Sequence, residues 1–187
     1  MADCGSLEKG DRAFGAMIPP LPEGTVVRYR VKSFDVAGKP ALAEAQKAFY
    51  VGKPAPRGRT VPSFELLISP SGLESLDKSK TSWVPGMLVF DGTVYDKVRV
   101  RHRGHSSLAF PKRHFKLQFD GERFEGLRTV NLSASWADKS YLREPLANAI
   151  FAEAGVASCE VRRYARLFLN GKYWGLYYQI EQPGKDH

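Results

Sequence analysis

The sequence has few cysteines and no long apolar segment. Its two cysteines, Cys4 and Cys159, lie far apart among 187 residues. Such a pair provides no disulfide framework, so we expect two free thiols. No apolar run approaches the roughly 18–20 residues that a membrane-spanning helix needs, and residues 1–10 lack an apolar signal core. We therefore expect neither a membrane span nor a signal peptide in this chain.

Familiar catalytic and phosphate-binding motifs are also absent. The chain has no Gly-x-x-x-x-Gly-Lys-Ser/Thr loop and no Gly-x-Gly-x-x-Gly, which argues against Walker-type and dinucleotide-binding folds. The spacing of His102, His105 and His114 matches no familiar set of metal ligands, so we predict no metal site from them. No serine–histidine–acid arrangement stands out.

The composition is that of a folded globular protein with an excess of positive charge. Hydrophobic residues make up 43% and charged residues 26% of the chain, and the formal net charge is +8. A basic surface favours anionic partners such as nucleotide phosphates, acidic proteins or nucleic acid, but it does not determine a fold.

The first 50 residues are predicted to contain β-structure. In residues 25–35, Val27 and Tyr29 alternate with Arg28 and Arg30. This period of two predicts a strand with one solvent-exposed face. Together with the preceding turn-rich segment, this strand resembles the end of an immunoglobulin-like or fibronectin-like module. The alternative is an unrelated hairpin that packs onto the next module. We assign residues 1–50 to the carboxyl-terminal strands of an immunoglobulin-like module, and the Gly- and Pro-rich residues 51–61 to a linker.

Residues 62–187 are predicted to form a second module of five or six antiparallel strands. Asp91-Gly92 and Asn170-Gly171 are strong two-residue hairpin signals. The strands are expected at residues 64–69, 87–90, 94–103, 114–120, 163–169 and 172–181.

Two helices are expected in this module. A brief one covers residues 73–78. The main one lies near residues 138–154, where Leu142, Leu146 and Ile150 recur every four residues and Gly155 is a natural stop. The predicted fold class is therefore α+β: a twisted antiparallel sheet with one main helix laid on it.

This module carries a run of motifs in order. Residues 95–107 read YDKVRVRHRGHSS, residues 110–120 read FPKRHFKLQFD, and residues 166–177 read RLFLNGKYWGLY. The pattern Asn131-Leu132 through Leu142-Arg143-Glu144 and the closing Glu181-Gln182 complete the run. Together these motifs resemble the CotH family of spore-coat and surface kinases, and residues 61–70, VPSFELLISP, fit the family's first strand.

The resemblance implies a protein-kinase-like fold, with this chain as its amino-terminal lobe. It implies binding of ATP with Mg²⁺ or Mn²⁺ and phosphorylation of proteins, chiefly on serine. In the family the catalytic residues follow the Glu181-Gln182 segment, so we expect the module to be truncated and inactive alone. Family analogy also implies an extracytoplasmic location, as a secreted, surface or spore-coat protein.

The resemblance gives the strand-lysine role to Lys116, which would hold phosphate oxygens. By pattern alone, Lys116 is an ordinary solvated strand lysine, and Lys112 is the fallback candidate. The phosphate-loop role falls on Arg103, Gly104, His105, Ser106 and Ser107, where a tight backbone and hydroxyl groups can donate to phosphate. The family often has asparagine at the position of His105.

The remaining site prediction is a helix carboxylate at Glu144 that pairs with Lys116. The alternative is a glutamate favoured by the helix dipole, with Arg143 contacting phosphate instead. Trp174 and the Glu181-Gln182 pair could contact adenine, although Trp174 is expected in the core.

Two other functions compete with the kinase hypothesis. One is a non-catalytic module for surface or coat assembly or adhesion. The other is nucleic-acid binding by the basic residues of one strand, which are Lys97, Arg99, Arg101 and Arg103. No aromatic pair of the RNA-binding type accompanies them, so we expect a nucleotide and a protein substrate as partners and no nucleic acid.

Overall fold

The architecture is known from a computed structural model. It describes residues 18–31, 37–39, 45–52, 61–156 and 161–181. Both cysteines, most of the predicted linker and Gln182 lie outside the described residues.

Two of the described strands form a separate antiparallel pair. β1 (Thr25–Val31) pairs with β2 (Ala45–Val51). The strand predicted over residues 25–35 thus begins where expected, and residues 32–35 are outside the described part. Arg28 links this pair to the rest of the chain, with its Nε 3.7 Å from an Asp96 carboxylate oxygen. The assignment of this segment to an immunoglobulin-like module stays a prediction.

Seven further strands close into a barrel with the order β3-β4-β5-β6-β7-β9-β8. They are β3 (Ser63–Ile68), β4 (Val84–Phe90), β5 (Thr93–Arg103), β6 (His114–Phe119), β7 (Thr129–Ser133), β8 (Val161–Leu169) and β9 (Lys172–Glu181). All neighbouring pairs are antiparallel except β3 and β8, which are parallel and complete the closure.

Both predicted hairpins are present. Asp91 and Gly92 have φ values of 47° and 78°, and Asn170 and Gly171 have 49° and 79°. Positive φ at both central residues matches the right-handed twist of the flanking strands, which is why Asn-Gly and Asp-Gly are favoured there.

Alternation along the strands places the apolar core inside the barrel. On β6, Phe115, Leu117 and Phe119 are buried, and His114 and Lys116 face away from the interior. An aromatic cluster fills one part of the core. Its rings lie 4.8–5.6 Å apart and belong to Phe64, Phe90, Tyr95, Phe119 and Phe124.

The two helices are short. α1 (Pro70–Lys78) is capped by Ser69, whose hydroxyl accepts from the Gly72 N–H at 3.1 Å. It buries Leu76 against the core. α2 (Arg143–Glu153) is followed by Gly155, which has a φ of 68° and lies at the predicted stop. None of the helices in the described part of the chain is long and apolar enough to span a membrane.

The predicted fold class is wrong. The chain is mostly β and forms a closed barrel, whereas we expected a kinase-like α+β amino-terminal lobe, a twisted antiparallel sheet with one main helix. The helix did form, but its apolar residues do not pack on the sheet: Leu146 is 61% and Ile150 58% exposed. Closure was missed because it depends on pairing of β3 with β8, about a hundred residues later in the chain.

Candidate phosphate-binding face

Among the site residues predicted from sequence, Arg103 and Lys116 lie on the neighbouring strands β5 and β6. Gly104, Ser106 and Ser107 lie in the loop after β5, and Glu144 lies at the start of α2. Arg101 lies beside Lys116, and Lys116 lies beside Asn131. One step along the same face, Arg103 lies beside His114. Because Val100 and Leu117 fill the interior, the intervening side chains must project outward. We call this surface, from Arg101 and Arg103 across Lys116 to the start of α2, the phosphate face.

Three cationic groups lie close together on the phosphate face. Partial burial lowers the pKa of Lys116, and the positive charges of Arg101 and Arg103 lower it further. The Arg101 guanidinium carbon lies 5.0 Å from the centre of the Trp83 ring. This cation–π contact holds the arginine against the strand. The arrangement keeps positive charges together, which an anion in contact with them would stabilise.

The predicted phosphate loop follows β5 directly. Gly104 has a φ of 119°, and a Cβ there would lie 1.9 Å from the Ser107 hydroxyl oxygen. The backbone angle therefore favours glycine, and a Cβ at this position would force the Ser107 hydroxyl to rotate away. Residues Ser106–Ala109 form a 3₁₀ turn, in which the Phe110 N–H donates to the Ser107 carbonyl at 3.2 Å.

Glu144 lies in the first turn of α2 and reaches the sheet. One of its carboxylate oxygens accepts a hydrogen bond from the Tyr178 hydroxyl and another from the Ser133 hydroxyl at 3.4 Å. Burial, followed by the bond to Glu144, raises the pKa of Tyr178 to about 12, so the phenol keeps its proton at neutral pH. These contacts fix Glu144 at the edge of the phosphate face, close enough for its charge to affect His114.

The start of α2 is held by a side chain outside the helix. The carboxylate of Asp138 accepts from the Arg143 N–H at 2.9 Å, the Ser140 N–H at 3.1 Å and the Ser140 hydroxyl at 2.6 Å. The N-cap residue itself is Leu142, which makes no side-chain capping bond, so Asp138 caps the first helical N–H from outside the helix. Because Glu144 follows Arg143 directly, this cap also sets where the glutamate lies.

His114 connects the sheet to the loop after β7. Its Nδ1 accepts from the Ala134 N–H at 3.0 Å and lies 3.1 Å from the Ser133 hydroxyl oxygen. An Nδ1 that accepts carries no proton, so the neutral ring is protonated at Nε2. Burial lowers the pKa of His114, as does nearby Arg103, and Glu144 opposes them.

Lys112, the fallback phosphate lysine, is engaged elsewhere. Its Nζ donates to the Ala134 carbonyl at 3.0 Å, to the Tyr141 hydroxyl at 2.8 Å and to the Leu176 carbonyl. Burial lowers its pKa to about 8. With this set of protein acceptors, Lys112 joins β9 to the loop before α2.

Several groups on the phosphate face were not predicted. Ser133 and Tyr178 sit on strands whose sequences carry no sign of their partner, and Arg101 was assigned only to a basic stripe. Arg99 of that stripe differs from Arg101, because it donates to the Asp120 carboxylate through Nε at 2.5 Å and Nη2 at 3.0 Å.

Other candidate residues lie away from the phosphate face. Trp174 is 47% exposed, so its expected place in the core is wrong. His102 faces the barrel interior, whereas His114 faces outward. Within the described ranges, no three histidine, cysteine, aspartate or glutamate side chains form a group that could hold a metal ion.

Comparisons with known proteins agree with the motifs. Residues 100–187 match the family described as "CotH kinase protein". Over 126 residues, or 65% of this chain, the sequence is 28% identical to "Inner spore coat protein H" of Bacillus subtilis (strain 168). The chain spans about a third of the length of that relative, since the match covers 34% of it. The family match over residues 100–187, this relative and the ordered motifs all support a likeness of this chain to the CotH family.

Proposed function

We propose that this chain provides the nucleotide-binding part of a CotH-type protein kinase that acts on spore-coat or surface proteins. The observation that carries this proposal is the cluster of Lys116 with Arg101 and Arg103, beside the Gly104 loop. The family's description as a kinase protein and the relative's description as a spore coat protein support the activity and the location.

The residues present fit the phosphates of a nucleotide. Lysine and arginine are the usual partners of phosphate oxygens, and a triphosphate would offset the mutual repulsion of Lys116, Arg101 and Arg103. ATP, when bound, supplies the phosphoryl group that is transferred. In our proposal Lys116 and Arg103 hold phosphate oxygens, and the hydroxyls of Ser106 and Ser107 donate to them.

Glu144 has a different part in this proposal. Its carboxylate is tied to Tyr178 and Ser133, so it borders the cations without cancelling all of their charge. A carboxylate at that edge repels a misplaced anion and directs the phosphates toward Lys116. For Mg²⁺ or Mn²⁺, the described residues offer no cluster of three ligands, so we derive no step through a metal.

The test of kinase activity uses the longest natural protein that contains this chain. It is incubated with radiolabelled ATP, divalent cation and a spore-coat extract from its own source. We expect label on coat proteins, chiefly on serine, and loss of most of that label with Lys116→Met. Arg99→Gln is the matched control, because Arg99 lies on the same strand as Arg101 but is held by Asp120. Absence of transfer with correctly folded protein would refute the kinase proposal.

A second candidate is a non-catalytic module for coat assembly. The exposed apolar residues Leu146, Ile150 and Phe151 on α2 favour it, since a contiguous apolar surface often marks a protein contact. Under this hypothesis, Ile150→Glu prevents incorporation into the coat and Lys116→Met does not. The opposite pattern, in which only Lys116→Met has an effect, supports the kinase.

A further inference from the structure

A cavity of about 300 Å³ lies between α1, the end of β5 and the β8–β9 hairpin. We call it the end cavity. Its size is at the lower limit of the range for small-molecule sites, about 300–1,000 Å³. None of its lining residues belongs to the phosphate face, so a ligand here would be separate from the proposed nucleotide.

The inner wall of the end cavity is apolar. It is formed by Leu73 and Leu76 from α1, Phe115 from β6 and Leu169 from β8. Leu76 and Phe115 are almost fully buried, and Leu73 and Leu169 pack against the same core. Protein interiors usually fill spaces of this size, so an open apolar cavity is suited to a molecule that can cover it.

The polar lining carries more positive than negative charge. Arg113 and Lys172 are opposed by Asp77 alone among the charged residues of the lining. Asp77 lies 3.2 Å from an Arg113 Nη1, but its side chain is 77% exposed. Such an exposed pair contributes little, because water competes for both groups. The Arg113 Nε is buried and has no hydrogen-bond partner among the described residues, so the guanidinium retains an unused donor.

Two rings complete the lining. Trp174 is exposed at the cavity and offers a flat aromatic surface to a ligand. His102 is buried among the apolar groups, with its ring 4.8 Å from that of Phe115. Burial lowers the pKa of His102, so the ring is neutral at pH 7 and the inner wall gains no charge from it.

We propose that the end cavity binds a small aromatic carboxylic acid. The ring would lie between the apolar wall and Trp174, and the carboxylate would bind the Arg113 guanidinium. Arginine favours carboxylates because its planar fork can donate two parallel hydrogen bonds. Lys172 adds positive charge at the same cavity, whereas a neutral aromatic molecule would leave the Arg113 donor unused.

The experiment measures binding of 4-phenylbutyrate to the 187-residue chain by calorimetry and by tryptophan fluorescence. We expect saturable binding with a change in emission from Trp174, and weaker binding of the uncharged 4-phenylbutanol. Arg113→Met should weaken the carboxylate about tenfold or more, the range for a hydrogen bond to a charged group, and leave the alcohol unchanged. Leu73→Trp should fill the cavity and abolish binding of both molecules.

Two controls keep the proposal open to refutation. Lys172→Gln changes an exposed side chain, cannot unfold the barrel and should weaken only the carboxylate. Lys116→Met should leave phenylbutyrate affinity intact, which separates this proposal from that of the phosphate face. The proposal is overturned if phenylbutyrate does not bind, if it binds no better than the alcohol, or if Leu73→Trp and Lys172→Gln both bind it as the wild type does.

Discussion

At the scale of single residues, charge on the phosphate face is organised by neutral and negative neighbours. The Arg101 guanidinium makes a cation–π contact with Trp83, and Arg99 donates a hydrogen bond to Asp120. Glu144 accepts hydrogen bonds from Tyr178 and Ser133. Residues of the same type therefore have different roles, which depend on the groups that they contact. Lys112 donates to backbone carbonyls inside the structure, whereas Lys116 shares an outer face with two arginines.

His114 should make the protein sensitive to acid. Its folded pKa is lowered, first by burial, below the ordinary value of about 6.5 in the unfolded chain. The unfolded state therefore binds more protons as the pH falls below about 6.5, and folding stability decreases over that window. Protonation of Nδ1 would also end its bond from the Ala134 N–H.

Urea unfolding at pH values from about 7.5 to 5 tests this prediction. The wild type should lose stability with acid more steeply than His114→Gln, which has no titrating ring. His102 also has a lowered pKa, so the variant should keep part of the dependence. Equal slopes for the two proteins would show that His114 does not contribute.

At the scale of elements, the loop after β5 couples backbone shape to the phosphate face. Gly104→Ala should destabilise the protein through its positive φ, and its Cβ should force the Ser107 hydroxyl to rotate away. The φ alone costs about 1–2 kcal/mol for a residue with a Cβ. Gly92→Ala is the matched control, since Gly92 has a φ of 78° and a Cβ added there would meet no atom within 4 Å.

The two glycine variants separate strain from function. Both should lower the free energy of unfolding in thermal or urea melts. Only Gly104→Ala should also weaken ATP binding, because it displaces Ser107 next to the phosphate face. If the two variants lost ATP affinity equally, the Gly104 loop would have no part in binding.

Elements with strong local signals were predictable from the sequence. Asp91-Gly92 and Asn170-Gly171 specify their turns, and the alternation on β6 gives its inner and outer faces. β7 was not predicted as a strand, although Val130 and Leu132 alternate with polar residues, because a segment of five residues offers few positions in which to detect a period. The recurrence of apolar residues every four positions correctly gave α2 as a helix, but the helix buries none of its residues.

At the scale of the whole molecule, the barrel is completed by one turn residue as well as by strand pairing. The side-chain amide of Asn170 accepts from the Ile68 N–H at 2.9 Å and donates to the Ile68 carbonyl at 2.8 Å. The side chain thereby pairs with the backbone of the last residue of β3, beyond the backbone pairing of β3 with β8. Nothing near Asn170 in the sequence indicates this partner, so closure could not be predicted from local patterns.

Asn170→Gly tests the contribution of this amide to closure. Glycine keeps the positive φ of the turn, so the change isolates the two side-chain bonds. We expect a loss of about 1–3 kcal/mol in the free energy of unfolding, since each bond contributes about 0.5–1.5 kcal/mol. Asn170→Ala should lose more because it adds backbone strain. Unchanged stability in Asn170→Gly would mean that the backbone pairing of β3 with β8 closes the barrel alone.

The central claim is that the phosphate face binds the phosphates of a nucleotide, and ATP titration by calorimetry tests it most directly. The account predicts measurable ATP affinity for this chain, about a tenfold or greater loss with Lys116→Met, and no change with Arg99→Gln. Affinity that is indifferent to Lys116→Met, or equally reduced by Arg99→Gln, would contradict it.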